Sequence, residues 1–356
     1  MKILFIVPHP FDTAPSQRLK FEQYFDYFKE QGIEIEFSPF ISPGFRKILY
    51  ERGHVVKKVF YTICGYLRRI KDIFKARKCD LIYIHLWATP FGPPIFEYIF
   101  HGMKKPIIYD IDDMIYLPHS SKVNKFVQFL KFPQKVPRVM SLSDHIIVVT
   151  KHLKQFAESF NSKVTYIPPT INTDTYFIKD RDDNKKVCIG WTGSHSSSVC
   201  LELLAGVLRK IHQKYDINIK VIGDRNFRVD GVDIEAKDWS SKTEVEDIQG
   251  IDIGLYPLPI NEWIMGKGGL KPVQYMGMGI PVVCTKIGAV LDFVVDGENG
   301  FLADNDEEWI DKISRLIEDA QLRKRVGLNG RKTVEEKFSV KVNAPKYLEI
   351  IKKVYK

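Results

Sequence analysis

Strand-like and helix-like patterns alternate along this chain in two series, broken once by a stretch that carries neither, and this arrangement restricts the fold more than any other feature. In the first series, apolar or alternating runs at 2–7, 32–37, 80–85, 106–109 and 145–149 predict strands, while 19–31 (closed by Gly32), 93–102 and 151–160 predict helices. Residues 168–186, rich in Pro, Asp, Thr and Asn with no apolar period, read as a linker. The alternation then restarts, with strands at 187–191, 217–223, 251–257 and 281–285 and helices at 199–212, 242–248, 270–278 and 307–319. Repeated strand–helix alternation means a parallel sheet covered on both faces, so the expected class is α/β with two doubly wound, Rossmann-like domains at 1–180 and 181–341. Ligands of such sheets sit outside the carboxyl ends of the strands, which makes a cleft between the domains the expected site.

The chain is long enough for two cores: 356 residues, 44% of them hydrophobic. Its five cysteines are scattered, with no Cys-x-x-Cys pair and no zinc spacing, which suits a reducing, cytoplasmic setting. The apolar N-terminal run stops at Pro8, too early for a signal segment, and the apolar region 81–100 is interrupted by His85, three prolines and Glu97, so no bilayer span is expected. Neither series opens on Gly-x-Gly-x-x-Gly or a Walker loop, which removes support for a nicotinamide dehydrogenase or a P-loop kinase.

The net charge of +9 lies wholly in the first half, where 26 Lys and Arg face 17 Asp and Glu, against 27 and 27 in the second half. Residues 46–78 alone carry 11 basic residues against Glu51 and Asp72. Interleaved with them, Val56, Val59, Phe60, Ile63, Tyr66, Leu67, Ile70, Ile73 and Phe74 recur at three- and four-residue spacing, the mark of an amphipathic helix. Two readings stay open: a face laid on an anionic membrane, or a core-facing helix with a basic outer side. Nucleic acid is not an expected partner, because no nucleic-acid motif accompanies the charge.

Three further clusters look chemical. The run Gly266-Lys267-Gly268-Gly269-Leu270-Lys271 opens a short helix, so backbone amides and two ammonium groups can converge on an anion such as a diphosphate. Gly190-Trp191-Thr192-Gly193-Ser194 runs from a strand end through small hydroxyl residues, fitting either phosphate approach or helix capping, and Arg225 at another strand end could offer a fork to phosphate. In the first half, Asp110, Asp112 and Asp113 follow an apolar strand, with His119 seven residues beyond Asp112. They fit acceptor hydroxyl recognition or stabilisation of developing positive charge, or else turn formation. Ser16 and Arg18, after the first strand, are candidates for an anionic acceptor group.

The sequence Lys271-Pro-Val-Gln274-Tyr-Met-Gly-Met-Gly-Ile-Pro-Val-Val, followed by Asp296-Gly-Glu-Asn-Gly-Phe-Leu302, resembles retaining glycosyltransferases of the GT-B fold, in particular glycosyltransferase family four. Ala14–Arg18, Tyr109–Asp113 and Ile167–Asp174 resemble the family's first-domain segments, so the likeness covers nearly the whole chain. It implies sugar transfer from a nucleotide diphosphate sugar to a glycan or glycolipid acceptor, with no cofactor or bound metal, while the basic segment 46–78 suggests a protein peripheral to the inner face of the membrane. It also implies donor contacts from Gly193, Ser194, Arg225, Gly266, Gly268, Gly269 and Gln274, leaving-group stabilisation by Lys267 and Lys271, and a final helix, 342–356, crossing back onto the first domain. Many members carry a Glu-x7-Glu pair; here Gly266 and Gln274 stand in its place. A sugar-nucleotide epimerase of the same fold, or a catalytically silent binder, is the alternative.

Overall fold

The computed structural model describes residues 1–51, 53–117, 130, 132–179 and 185–356, and the chain divides into two units, Met1–Pro168 with Ala344–Lys356, and Pro169–Asn343. In the first unit the strands are β1 (Lys2–Val7), β2 (Glu34–Pro39), β3 (Leu81–His85), β4 (Ile107–Ile111), β5 (His145–Val148) and β6 (Val164–Tyr166), ordered β2-β1-β3-β4-β5-β6 and all parallel. In the second they are β7 (Cys188–Thr192), β8 (Asn218–Ile222), β9 (Glu235–Lys237), β10 (Ile253–Tyr256), β11 (Val282–Thr285) and β12 (Phe301–Ala303), ordered β12-β11-β10-β7-β8-β9, again parallel. β1, β3 and β4 are buried along nearly their whole length, as strands covered by helices on both faces must be. β6, β9 and β12 escape the sequence reading because three residues are too few to show a period.

Right-handed crossovers put the helices Val55–Arg77 and Ile95–Gly102 on one face of the first sheet and Phe25–Glu30 on the other. The last helix, Val340–Tyr355, shares that second face: Tyr347 is buried there with its ring 4.8 Å from that of Tyr24. Residues 19–31 do not make one helix. A 3-10 turn at Glu22–Tyr24 precedes Phe25–Glu30, because Lys20 turns inward to pair with Asp110 and Phe21 packs on Phe5 and Tyr83.

One other expectation needs correction, and one open alternative is narrowed. Residues 168–179 are not a free linker: Ile171 bridges to Ser339, its Cδ1 fills the space over Gly277, and Tyr176 is buried with its hydroxyl donating to Glu244 at 3.0 Å. Of the two readings of the helix Val55–Arg77, the core-facing one fails, because its apolar stripe faces outward. The inward side carries Gly65, Arg69, Asp72 and Ala76, because the strand ends beneath it present bare carbonyls that only a donor can satisfy. Fully buried Arg69 donates to the carbonyls of Val7 (2.9 Å), Ser38 (3.1 Å) and Ala88 (2.6 Å), and pairs with Asp72 at 2.8 Å.

Candidate active site

In the second unit, a cradle forms at the carboxyl ends of β7 and β8. Gly254 on β10 leaves room for the Tyr275 ring, since a Cβ there would lie 2.5 Å from it, and the Tyr275 hydroxyl accepts the Thr192 N–H at 2.8 Å. This contact fixes the end of β7, where the backbone turns through Gly193. A Cβ on Gly193 would meet the Trp191 ring at 2.1 Å and the Lys271 ammonium at 2.7 Å. Gly223, at φ +110°, has the Gly193 carbonyl where its own Cβ would be, 2.0 Å away. Only two glycines allow β7 and β8 to end this close together.

Around that turn Ser194 and Ser197 cap each other: the Ser194 N–H donates to the Ser197 hydroxyl at 2.9 Å, and the Ser197 N–H to the Ser194 carbonyl at 2.8 Å. Capping therefore accounts for part of the hydroxyl cluster. Across the turn stands the helix Leu270–Gly277, entered through Gly269 at φ +76°, with Gly266 buried just before it and Gly268 half-buried. Lys271 rises from its first turn, its ammonium 3.3 Å from the Ser197 hydroxyl and 4.4 Å from the centre of the Trp191 ring. Burial pushes this ammonium down to about 8, and Lys267 adds to the shift. Lys267 is half-buried, with its ammonium 3.7 Å from the Trp263 ring centre.

Arg225 follows Asp224 just past the end of β8. Its side chain is 70% exposed and lies 3.7 Å from Asp238. Gln274 is buried, and its amide donates to the Tyr176 hydroxyl at 3.2 Å and the Glu244 carboxylate at 3.1 Å, while the Trp239 indole donates to the same carboxylate at 3.1 Å. The side chain expected to contact the donor thus anchors an internal network. Asp296–Leu302 is likewise a built turn: Asn299 accepts from the Val295 N–H at 2.7 Å, and Asp296 from the Leu302 N–H at 2.8 Å. Sequence reading missed Asp224, which accepts from Ser198 at 2.6 Å and lies 3.0 Å from His195. Burial raises that carboxyl, but the Ser198 and His195 hydrogen bonds outweigh it and hold the group below the usual range.

In the first unit the carboxyl ends of β1, β3 and β4 gather a polar cluster. Asp110 is fully buried, ion-paired with Lys20 and 3.2 Å from the His85 ring, so it supports the cluster and is not presented to an acceptor. Burial raises the Asp112 carboxyl, with His85 and Lys20 opposing the shift. Asp113 accepts the Met114 N–H at 2.8 Å, the turn-forming role. Gln17 closes the β1 loop by exchanging hydrogen bonds with the His9 backbone at 2.7 and 3.0 Å, next to half-exposed Ser16 and to Arg18, which lies 3.9 Å from Asp12. His9 itself is pushed down to about 3 by burial, with Arg46 and His85 adding to the shift. His119 lies outside the described residues. Among the described residues no group of three or more His, Cys, Asp or Glu is placed to hold a metal ion, and no helix is long and apolar enough to cross a membrane.

The family model described as glycosyl transferases group 1 matches residues 186–319, the stretch that builds the Lys271 cradle. Over that stretch the chain is similar to the group 1 glycosyl transferases. An uncharacterised glycosyltransferase of Methanocaldococcus jannaschii is 25% identical over 295 residues, 80% of this chain and 77% of the relative. The capsular polysaccharide biosynthesis glycosyltransferase CapM of Staphylococcus aureus is 38% identical over 76 residues, 21% of this chain and 20% of CapM. The crystal structure of Anabaena HepE in complex with UDP-glucose superposes with a TM-score of 0.71 at 16% identity, covering 99% of this chain and 100% of HepE. The chain therefore has the GT-B fold.

Proposed function

We propose that this chain is a glycosyltransferase that moves a sugar, with retention of anomeric configuration, from a nucleotide diphosphate sugar to a lipid-linked glycan acceptor during assembly of a cell-surface polysaccharide or glycoconjugate. It would work in the cytoplasm, on the inner face of the membrane, which it contacts through residues 46–78. The observation that carries the donor half is the cradle itself. Gly193, Gly223 and Gly269 bring backbone close to a helix N-terminus from which Lys271 projects, an arrangement suited to a diphosphate. Lys271 and Lys267 would offset charge on the leaving diphosphate in place of a metal ion, and Ser194 and the backbone at Gly266 and Gly268 would face the donor. Gln274 would act at one remove, holding Glu244 and Tyr176 behind the cradle.

Supporting the acceptor half, the Asp112 carboxyl stands at the end of β4 beside the Lys20–Asp110–His85 cluster, with Ser16 and Arg18 on the adjacent loop. HepE binds UDP-glucose and CapM acts in capsular polysaccharide biosynthesis, which fits a nucleotide donor and a surface glycan product.

The test is thermal unfolding against a panel of nucleoside diphosphates and sugar nucleotides. A ligand at 100 times its Kd adds about 2.7 kcal/mol of stability, a shift of several degrees. One nucleotide series should raise the midpoint, and Lys271→Ala should abolish the shift without lowering the ligand-free midpoint. Full stabilisation of Lys271→Ala would remove the cradle from the donor site.

A further inference from the structure

The helix Val55–Arg77 is amphipathic in the reverse sense of a core helix. At about 100° per residue, Val59, Phe60, Ile63, Leu67, Ile70 and Phe74 share one arc, and each is between 47% and 61% exposed. Gly65, Arg69, Asp72 and Ala76 occupy the opposite arc and are buried. The helix cannot roll to hide its apolar side. Arg69 is locked to three strand-end carbonyls and Asp72, and a Cβ at Gly65 would come within 2.5 Å of the Phe40 ring. The outward arc is therefore fixed by the inward one.

The neighbouring helix Ile95–Gly102, on the same sheet face, exposes Ile95 (55%) and Tyr98 (48%), and the Tyr66 hydroxyl ties the long helix to the loop leading into the short one by donating to the Phe91 carbonyl at 2.8 Å. Lys57, Lys71, Arg77 and Lys78 are exposed on the long helix and at its end. A second copy of this chain would set these cations against their own kind. An anionic bilayer answers both features: acyl chains for the apolar arc, headgroup phosphates for the lysines.

We propose that this face inserts into the boundary between headgroups and acyl chains of an anionic bilayer, both helices lying in the plane of the interface. The proposal rests on the membrane contact suggested above and changes its character from charge attraction to apolar insertion. Charge attraction alone is lost in 1 M salt, where the screening length falls to about 3 Å, whereas apolar burial survives.

The test is co-flotation of the full chain with phosphatidylcholine vesicles containing phosphatidylglycerol, in low salt and in 1 M NaCl. Phe60, Ile63 and Phe74 lie outside the core, so Phe60→Gln, Ile63→Gln and Phe74→Gln combined leave the fold intact. The wild type should stay bound in 1 M NaCl, and the triple variant should partition at least tenfold more weakly. Complete release of the wild type by salt, or equal binding by both proteins, overturns insertion. So does a wild-type dimer that ignores vesicles and that the triple substitution splits. Stabilisation by nucleotide, a property of the second unit, should be the same in both proteins. A chain that floats with vesicles yet binds no nucleotide would sink the donor reading and leave insertion standing.

Discussion

Lys271 shows how one residue joins stability to ligand chemistry. Its ammonium is buried against Trp191, and burial lowers its proton affinity to about 8, from the ordinary lysine value of about 10.4. The sign follows from linkage. Between these two values the unfolded chain holds more protons, so stability rises with pH across that window, and the cost of burying the charge is fully present below pH 8. A bound diphosphate reverses the preference, because it needs the charged form. Nucleoside diphosphate affinity should therefore fall as pH rises from 7 to 9.5, by up to about tenfold per unit beyond the midpoint. Lys271→Arg should bind with an affinity that stays flat over the same range by titration calorimetry; a flat wild-type curve would separate Lys271 from the ligand. Lys271 and Gly269 were legible in sequence because glycines and lysines at a helix entrance have few other uses. Lys20, His85 and Gln17 were not, since each is common and they meet only when three strand ends are brought together.

Among the elements, the helix Val55–Arg77 exposes the limit of periodicity. Spacing told that a helix with one apolar side would form, but it left open whether that side faces in or out. What decides orientation is the demand of the β1, β2 and β3 strand ends for a hydrogen-bond donor, which one arginine meets. Arg69→Met should therefore destabilise the protein strongly, by about 3–5 kcal/mol, because it leaves the buried Asp72 carboxylate with only Lys75, at 4.0 Å, as a cation and leaves three carbonyls without their donor. Urea denaturation measures this, and a loss below 1 kcal/mol would mean that the helix is held by other contacts. The same limit explains the broken helices. The stretch 199–212 splits into Val199–Glu202 and Ala205–Lys214 where Leu203 and Leu204 turn, although no proline interrupts it.

For the whole molecule, the sequence signal is uneven. The second unit carries the motifs and the family match, because its cradle is made of backbone, and backbone demands particular residues at fixed spacing. The family model does not reach the first unit, whose polar cluster comes from positions as far apart as Lys20 and Asp110. Its integrity also depends on the last helix. Tyr347→Ala, which empties a fully buried aromatic position against Tyr24, should cost about 3 kcal/mol or more in urea denaturation. Unchanged stability would show that this helix adds nothing to the first core. The division of the chain has a temporal side as well. A ribosome delivers residues 1–168 first, yet the segment 344–356 that seals their hydrophobic surface emerges only after the entire second unit has been made. During synthesis Tyr24 and its neighbours wait uncovered while the later half folds, so the nascent first unit is the natural client for a chaperone.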